Sequence, residues 1–163
     1  MALNSYAALE ANGTALTGEV SSTEIGGIDV SQNNLELFAL EFGSARSTGR
    51  DARSRGRREI QPVVFETRLG RSTPALFQAL DEGQAISGNI RLFDTQPDTG
   101  EARHYFTLEI DRALITSIEA VSPDTLDPDT ASRPATVVIE LVPHGLTYRD
   151  EVHSTEHTSS VGG

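Results

Sequence analysis

His153-Ser-Thr-Glu156-His157 has the H-x-x-E-H spacing with which one zinc-protease class presents two histidines to zinc from a helix, the glutamate working as base. Its surroundings are rich in Ser, Thr and Gly, and no acid follows to complete the ligand set, so the segment reads as solvated tail. Asp124, Asp127 and Asp129 could gather a calcium ion, but Pro123 and Pro128 mark an ordinary turn cluster without the spacing of a calcium loop. Glu109 and Asp111 alternate onto one strand face, where a carboxylate pair could share acid and base work; on an outer sheet face such a pair is simply solvated. His104 opens the inward register of its strand and reads as a strand-end hydrogen-bonding residue. There is no G-x-S-x-G elbow and no phosphate-binding glycine loop. The absence of cysteine removes disulfides, thiolate metal sites and cysteine nucleophiles. The expectation is a protein that is not an enzyme and needs no cofactor or metal.

Charge is the stronger signal. All 13 basic residues are arginine, and Arg46, Arg50, Arg53, Arg55, Arg57 and Arg58 fall in one short window with a single acid, Asp51. The other seven arginines face 23 acids, so a basic segment sits on a strongly acidic body and the formal net charge is −11. Such a body repels phosphate backbones and anionic lipid, so neither nucleic-acid binding nor membrane insertion is expected. No apolar run exceeds the four residues Leu37-Phe38-Ala39-Leu40, against roughly 20 for a membrane-spanning helix. The first basic residue is Arg46 and Glu10 interrupts the mildly apolar start, so no secretory signal peptide is expected. A basic segment on an acidic body points instead to contact with another copy of the chain.

The elements that must carry these residues are mostly strands. Tyr105, Thr107 and Glu109 alternate with Phe106, Leu108 and Ile110, and Val63, Phe65, Thr67 and Leu69 repeat the period of two. Strands are expected near 2–9, 15–21, 28–42, 59–69, 86–94, 103–112, 113–121 and 134–148. Val137, Ile139 and Leu141 are backed by Val138 and Val142, so some strands need cover on both faces. A small β-barrel of two sheets covers the inside; a helix, a second sheet or a neighbouring subunit must cover the outside. One helix is expected over about 73–82, with Ser72 or Thr73 as cap, Pro74 in the first turn and Gly83 as stop. Its apolar stripe of Leu76, Phe77 and Leu80 should seal a mouth or flank of the barrel. Gly43 to Arg58 lacks apolar side chains beyond two alanines and reads as a long extended loop, mobile in the free chain. Residues 149–163 read as a polar, disordered and dispensable tail beyond a single domain over 1–148.

The order of several segments resembles Hcp, the hemolysin-coregulated protein family of type VI secretion. These are Met1-Ala-Leu-Asn-Ser-Tyr6, Gly27-Ile-Asp-Val30, the arginine-rich loop running into Arg58-Glu-Ile-Gln-Pro-Val-Val-Phe-Glu-Thr67, Ser72-Thr-Pro-Ala-Leu-Phe-Gln-Ala-Leu80, Tyr105-Phe-Thr-Leu-Glu-Ile110 and Ala113-Leu-Ile-Thr-Ser-Ile118. The likeness runs over about residues 1–148. It implies a structural protein: a barrel with one flanking helix that closes into hexameric rings, stacked as the inner tube of a contractile injection machine. By resemblance its partners are itself, the sheath, the spike protein and small effectors carried in the lumen. It would wait in the bacterial cytoplasm and leave through the machine without a signal peptide. The chain departs from the family at Arg58 and Glu59, at Leu69-Gly70-Arg71, and at Arg112, where asparagine is common. A reading from another class is a monomeric ligand-binding barrel with the basic loop as a mobile lid.

Overall fold

The computed structural model describes residues 2–48 and 55–161. Among these the chain forms β1 (Ser5–Ala11), β2 (Thr14–Ala15), β3 (Glu24–Ile25), β4 (Ile28–Asp29), β5 (Leu35–Glu41), β6 (Ser44–Thr48), β7 (Arg55–Ile60), β8 (Val63–Arg68), α1 (Thr73–Glu82), β9 (Ile86–Thr95), β10 (Ala102–Val121), β11 (Thr136–Val142), β12 (Gly145–Asp150) and β13 (Thr155–Ser160). The main sheet runs β11-β8-β5-β1-β9-β10, and a further β10–β11 pairing closes it into a barrel. The expected mainly β, single-helix barrel is therefore the fold. Closure removes the sheet edges that an open arrangement would leave unpaired.

Several strand boundaries differ from the sequence reading. Residues 103–121 form one strand: Arg112 takes φ +47 and the pairing with β9 slips between Ile110 and Ala113, so a bulge absorbs what looked like a turn. A left-handed φ of this kind is one that asparagine takes more readily than arginine. The expected strand over 134–148 breaks at Pro143-His144, opposite that bulge, where the His144 N–H donates to the carbonyls of Asp111 and Arg112. Pro62, lacking an N–H, separates β7 from β8 in the same way. Of the strand expected over 15–21 only Ala15 lies in a strand, as part of a hairpin over Asn12-Gly13 with positive φ at both turn residues.

α1 covers the expected residues because its end signals are local. Pro74 lies in the first turn, and Gly83 at φ +63 closes the helix with the Gln84 N–H donating to the Ala79 carbonyl. Ser72 takes the cap position without a side-chain hydrogen bond; Thr73 Oγ1 instead accepts the Gly70 N–H at 3.0 Å. Thr73, Leu76 and Ala79 are the buried helix positions and Leu80 packs partly against the core, whereas Phe77, expected inward, faces out. α1 packs against β10, with Leu76 and Ala79 turned inward.

The barrel interior is filled by one apolar cluster including Leu9, Leu35, Phe65, Ile90, Leu108 and Ile139. Tyr6 and Phe93 face the other way and pack edge to face at 5.8 Å, covered by Val30 with Val20, Ile25 and Ile28. The excursion between β2 and β5 is thus the outer cover for β1 and β9. It is held by Glu36, which is only 1% exposed. The carboxylate accepts from Asn4 Nδ2 at 2.9 Å, the Ser21 N–H at 2.9 Å, Ser21 Oγ at 2.6 Å and Tyr6 Oη at 3.4 Å. Burial alone would raise its pKa; the Ser21 and Asn4 hydrogen bonds and the field of Arg68 outweigh this and hold it below the usual carboxylate range.

A depressed carboxylate stabilises the fold above its unfolded pKa, and that contribution is lost as pH falls through the folded value. Denaturation of wild type and Glu36→Gln between about pH 6 and about pH 3 should show the wild type losing the greater stability on acidification. Glu36→Ala should cost about 3 kcal/mol near neutral pH, because it strands the Asn4, Tyr6 and Ser21 donors. Equal acid sensitivity of wild type and Glu36→Gln would contradict the role assigned to the carboxylate.

Candidate assembly surfaces

The arginine window is not a bare loop. β6 and β7 pair as a two-stranded ribbon that sets Arg46 opposite Arg58, with Arg55 and Arg57 also on β7. Arg50 and Arg53 lie outside the described residues. Pairing satisfies backbone groups without burying side chains, which is how a segment with so little apolar content takes on regular structure.

The ribbon leaves the barrel over an aromatic platform. Phe42 stacks on Phe106 at 6.2 Å and on Tyr148 at 6.1 Å, and Ser44 Oγ lies 3.4 Å from Tyr148 Oη. Arg58 Nη2 donates to the Ser160 carbonyl at 2.7 Å. Arg58 therefore anchors the ribbon base to its own subunit. Sequence periodicity did not isolate Phe42, which lies between β5 and β6, and Tyr148 of β12, which meet only in space.

The segment expected to be a disordered tail carries regular structure. Arg149 and Asp150 belong to β12, and Thr155–Ser160 forms β13, paired with β12 along its whole length. Ser159 is buried, Thr147 and Thr158 share a 3.0 Å hydrogen bond, and Arg149 contacts Glu109, Glu151 and Glu156 at 3.0, 3.9 and 2.8 Å. A strand without aliphatic alternation is held here by backbone pairing and one arginine. A chain ending at Tyr148 should lose about 2–4 kcal/mol of stability, because it removes β13, Arg149 and the carbonyl that receives Arg58. Urea unfolding checks this; an unchanged midpoint would restore the dispensable tail.

The other chemistry-bearing residues are dispersed. His153 sits in the turn and pairs with Asp150 at 2.9 Å, while Glu156 and His157 are strand neighbours on opposite faces, so the H-x-x-E-H spacing does not converge. Glu109 is taken by Arg149 and Asp111 by Arg112 at 3.3 Å, which separates the carboxylate pair. Asp124 and Asp127 each accept a backbone N–H two residues on, from Leu126 and Asp129, and so shape turns. Among the described residues, no group of three or more His, Asp or Glu is placed to hold a metal. His104 Nε2 lies 2.7 Å from Thr107 Oγ1, which donates to Glu151. Burial lowers the His104 pKa, Glu151 partly restores it, and Arg91 adds to the lowering, so the ring is neutral near pH 7.

What the fold leaves uncovered is a sheet face. On the outside of β8, β11 and β10 stand Val64, Val138, Val142 and Leu114, interleaved with Glu66 and Glu140. Leu114 and Val142 are direct cross-strand partners, 49% and 44% exposed. Among the described residues, no helix is long and apolar enough to cross a membrane.

A family model described as type VI secretion system effector, Hcp, matches residues 9–149. No curated relative matches the chain. Among solved structures, a crystal structure of an Hcp protein is similar at TM-score 0.82 with 18% identity, covering 96% of each chain. A mutant form of Hcp1 from the E. coli EAEC 042 pathovar gives TM-score 0.78 at 18% identity over 97% of this chain and 98% of that one. The secreted protein Hcp3 from Pseudomonas aeruginosa gives 0.66 at 16% identity, over 97% and 98%.

Proposed function

Because the chain belongs to the Hcp family of type VI secretion, whose model spans residues 9–149, we propose that it is a structural subunit of the inner tube, closing into hexameric rings that stack end to end. The sheath drives this tube into a target cell with the spike protein at its tip, and small effectors ride in the lumen. The subunit waits in the cytoplasm and leaves through the machine itself.

The observation that supports ring closure is the uncovered face of β8, β10 and β11. A monomer gains nothing from holding Leu114 against Val142 in water, whereas a neighbour laid against this face buries both. The ligand-binding alternative has less support, since side chains such as Phe65 and Ile139 fill the barrel where a ligand would sit.

The arginine ribbon serves ring stacking through Arg46, Arg50, Arg53, Arg55 and Arg57, with Arg58 fixing its base. Each exposed ion pair contributes only about 0–1 kcal/mol, but six subunits repeat it at every joint. Light scattering at micromolar concentration in physiological salt tests the reading. Six copies of 17.5 kDa should give particles of about 105 kDa. A monomer under these conditions would refute it.

A further inference from the structure

A groove of about 520 Å³ lies beside Phe38, under the connection between β10 and β11, with Val121, Pro123 and Pro134 among its apolar walls. Glu66, Asp124 and Asp127 also line it, against one arginine, Arg133. Each of these three carboxylates uses one named oxygen locally: Glu66 Oε1 for Thr136 at 2.7 Å, Asp124 Oδ1 for the Leu126 N–H at 2.9 Å, Asp127 Oδ1 for the Asp129 N–H at 2.9 Å. Among the described residues, no side-chain hydrogen bond or ion pair engages the second oxygen of any of them. At the crest of the same connection Leu126 is 92% exposed, held out by a turn in which Thr130 Oγ1 and the Asp127 N–H donate to the Asp124 carbonyl.

This combination fits a long side chain with an apolar stem and a planar cationic head. Arginine lays its methylenes on apolar surface and gives paired N–H donors to a carboxylate. The ring of Phe38 already carries the Arg68 guanidinium at 5.5 Å on one side. We propose that this groove receives the arginine-rich segment, residues 46–58, of a second copy of the chain. The proposal rests on the tube reading and names the receiving surface that stacking requires.

The register shows why the occupant must be another copy. β8 begins at Val63, opposite Leu141, directly after the ribbon; it ends at Arg68, opposite Thr136, where Val121 also pairs and the groove opens. The two ends are about 17 Å apart along the strand. Arg58 and Ser44 further hold the ribbon base to the β12–β13 hairpin, which continues beyond β11 in the direction away from the groove. The ribbon base and the groove thus lie at opposite ends of one subunit. A contact of that kind joins unlike surfaces head to tail and propagates along an axis.

Because the chain has no cysteine, single-cysteine variants report this contact directly. Tagged Leu126→Cys protein mixed with untagged Ser54→Cys protein should, on mild oxidation at low salt, give a disulfide-linked pair of one of each. The yield should fall about tenfold when the tagged partner also carries Asp124→Asn, Asp127→Asn and Glu66→Gln, exchanges that retain the local acceptors but remove the charge. Light scattering on the same samples reads ring formation separately. Rings with no mixed pair, or with a mixed pair indifferent to the three exchanges, overturn the groove and leave the family reading standing. A failure to form rings at all removes the reading on which the groove rests.

Discussion

Gly88→Val is expected to leave the chain without a stable fold, lowering stability by about 4–5 kcal/mol, a large part of what a domain of this size has. Gly88 sits in β9 at φ +145, between Leu9 of β1 and Ile110 of β10. A Cβ there would run into the Ala8 carbonyl oxygen and stand 2.9 Å from Leu9 Cα. Both obstacles are backbone in a central barrel strand, so neither can rotate away as a flexible side chain would. Gly83 is the control: its φ is +63, but a Cβ would meet nothing within 4 Å, so Gly83→Ala should cost only about 1–2 kcal/mol. Chemical denaturation of the two variants separates conformational strain from collision. Equal losses would mean that β1 and β9 can spread at this point.

The second large effect falls on assembly. Leu114→Asp with Val142→Asp should fold as the wild type does, since both side chains already stand about half exposed on the outer sheet face. In a ring with this face covered, each joint would instead bury two carboxylates side by side. Uncompensated buried charge costs at least about 3 kcal/mol, enough to weaken each joint more than 100-fold. Light scattering should find the variant as a monomer with an unchanged circular dichroism spectrum. Full-sized rings from this variant would place the joint on another face.

Local chemistry made much of this molecule legible. α1 could be read to the residue because its stop and start are set by neighbours in the chain: Pro74 fits a first turn, and Gly83 takes the left-handed φ that ends one. The barrel strands were visible wherever an apolar register of two meets a buried face, as in Val63, Phe65 and Thr67. Glu36 carried a weaker signal, a single acid inside Leu35-Glu36-Leu37, which in a strand covered on both sides requires a polar clasp.

What depends on pairing between distant segments was not legible. β13 has the composition of a tail, and it is a strand only because β12 offers it an edge and Arg149 a charge partner. The bulge at Arg112 joins two expected strands into one, because opposite it the Pro143-His144 break supplies the matching irregularity. The sequence by itself determined the barrel class, the helix and the presence of an arginine-rich segment on an acidic body, since composition and short-range periodicity suffice for these. The tertiary structure alone decided that Arg58 is an anchor rather than a reaching residue. It also decided that the ribbon and the acidic groove stand at opposite ends of β8, because strand register is set by contacts made far apart in the chain.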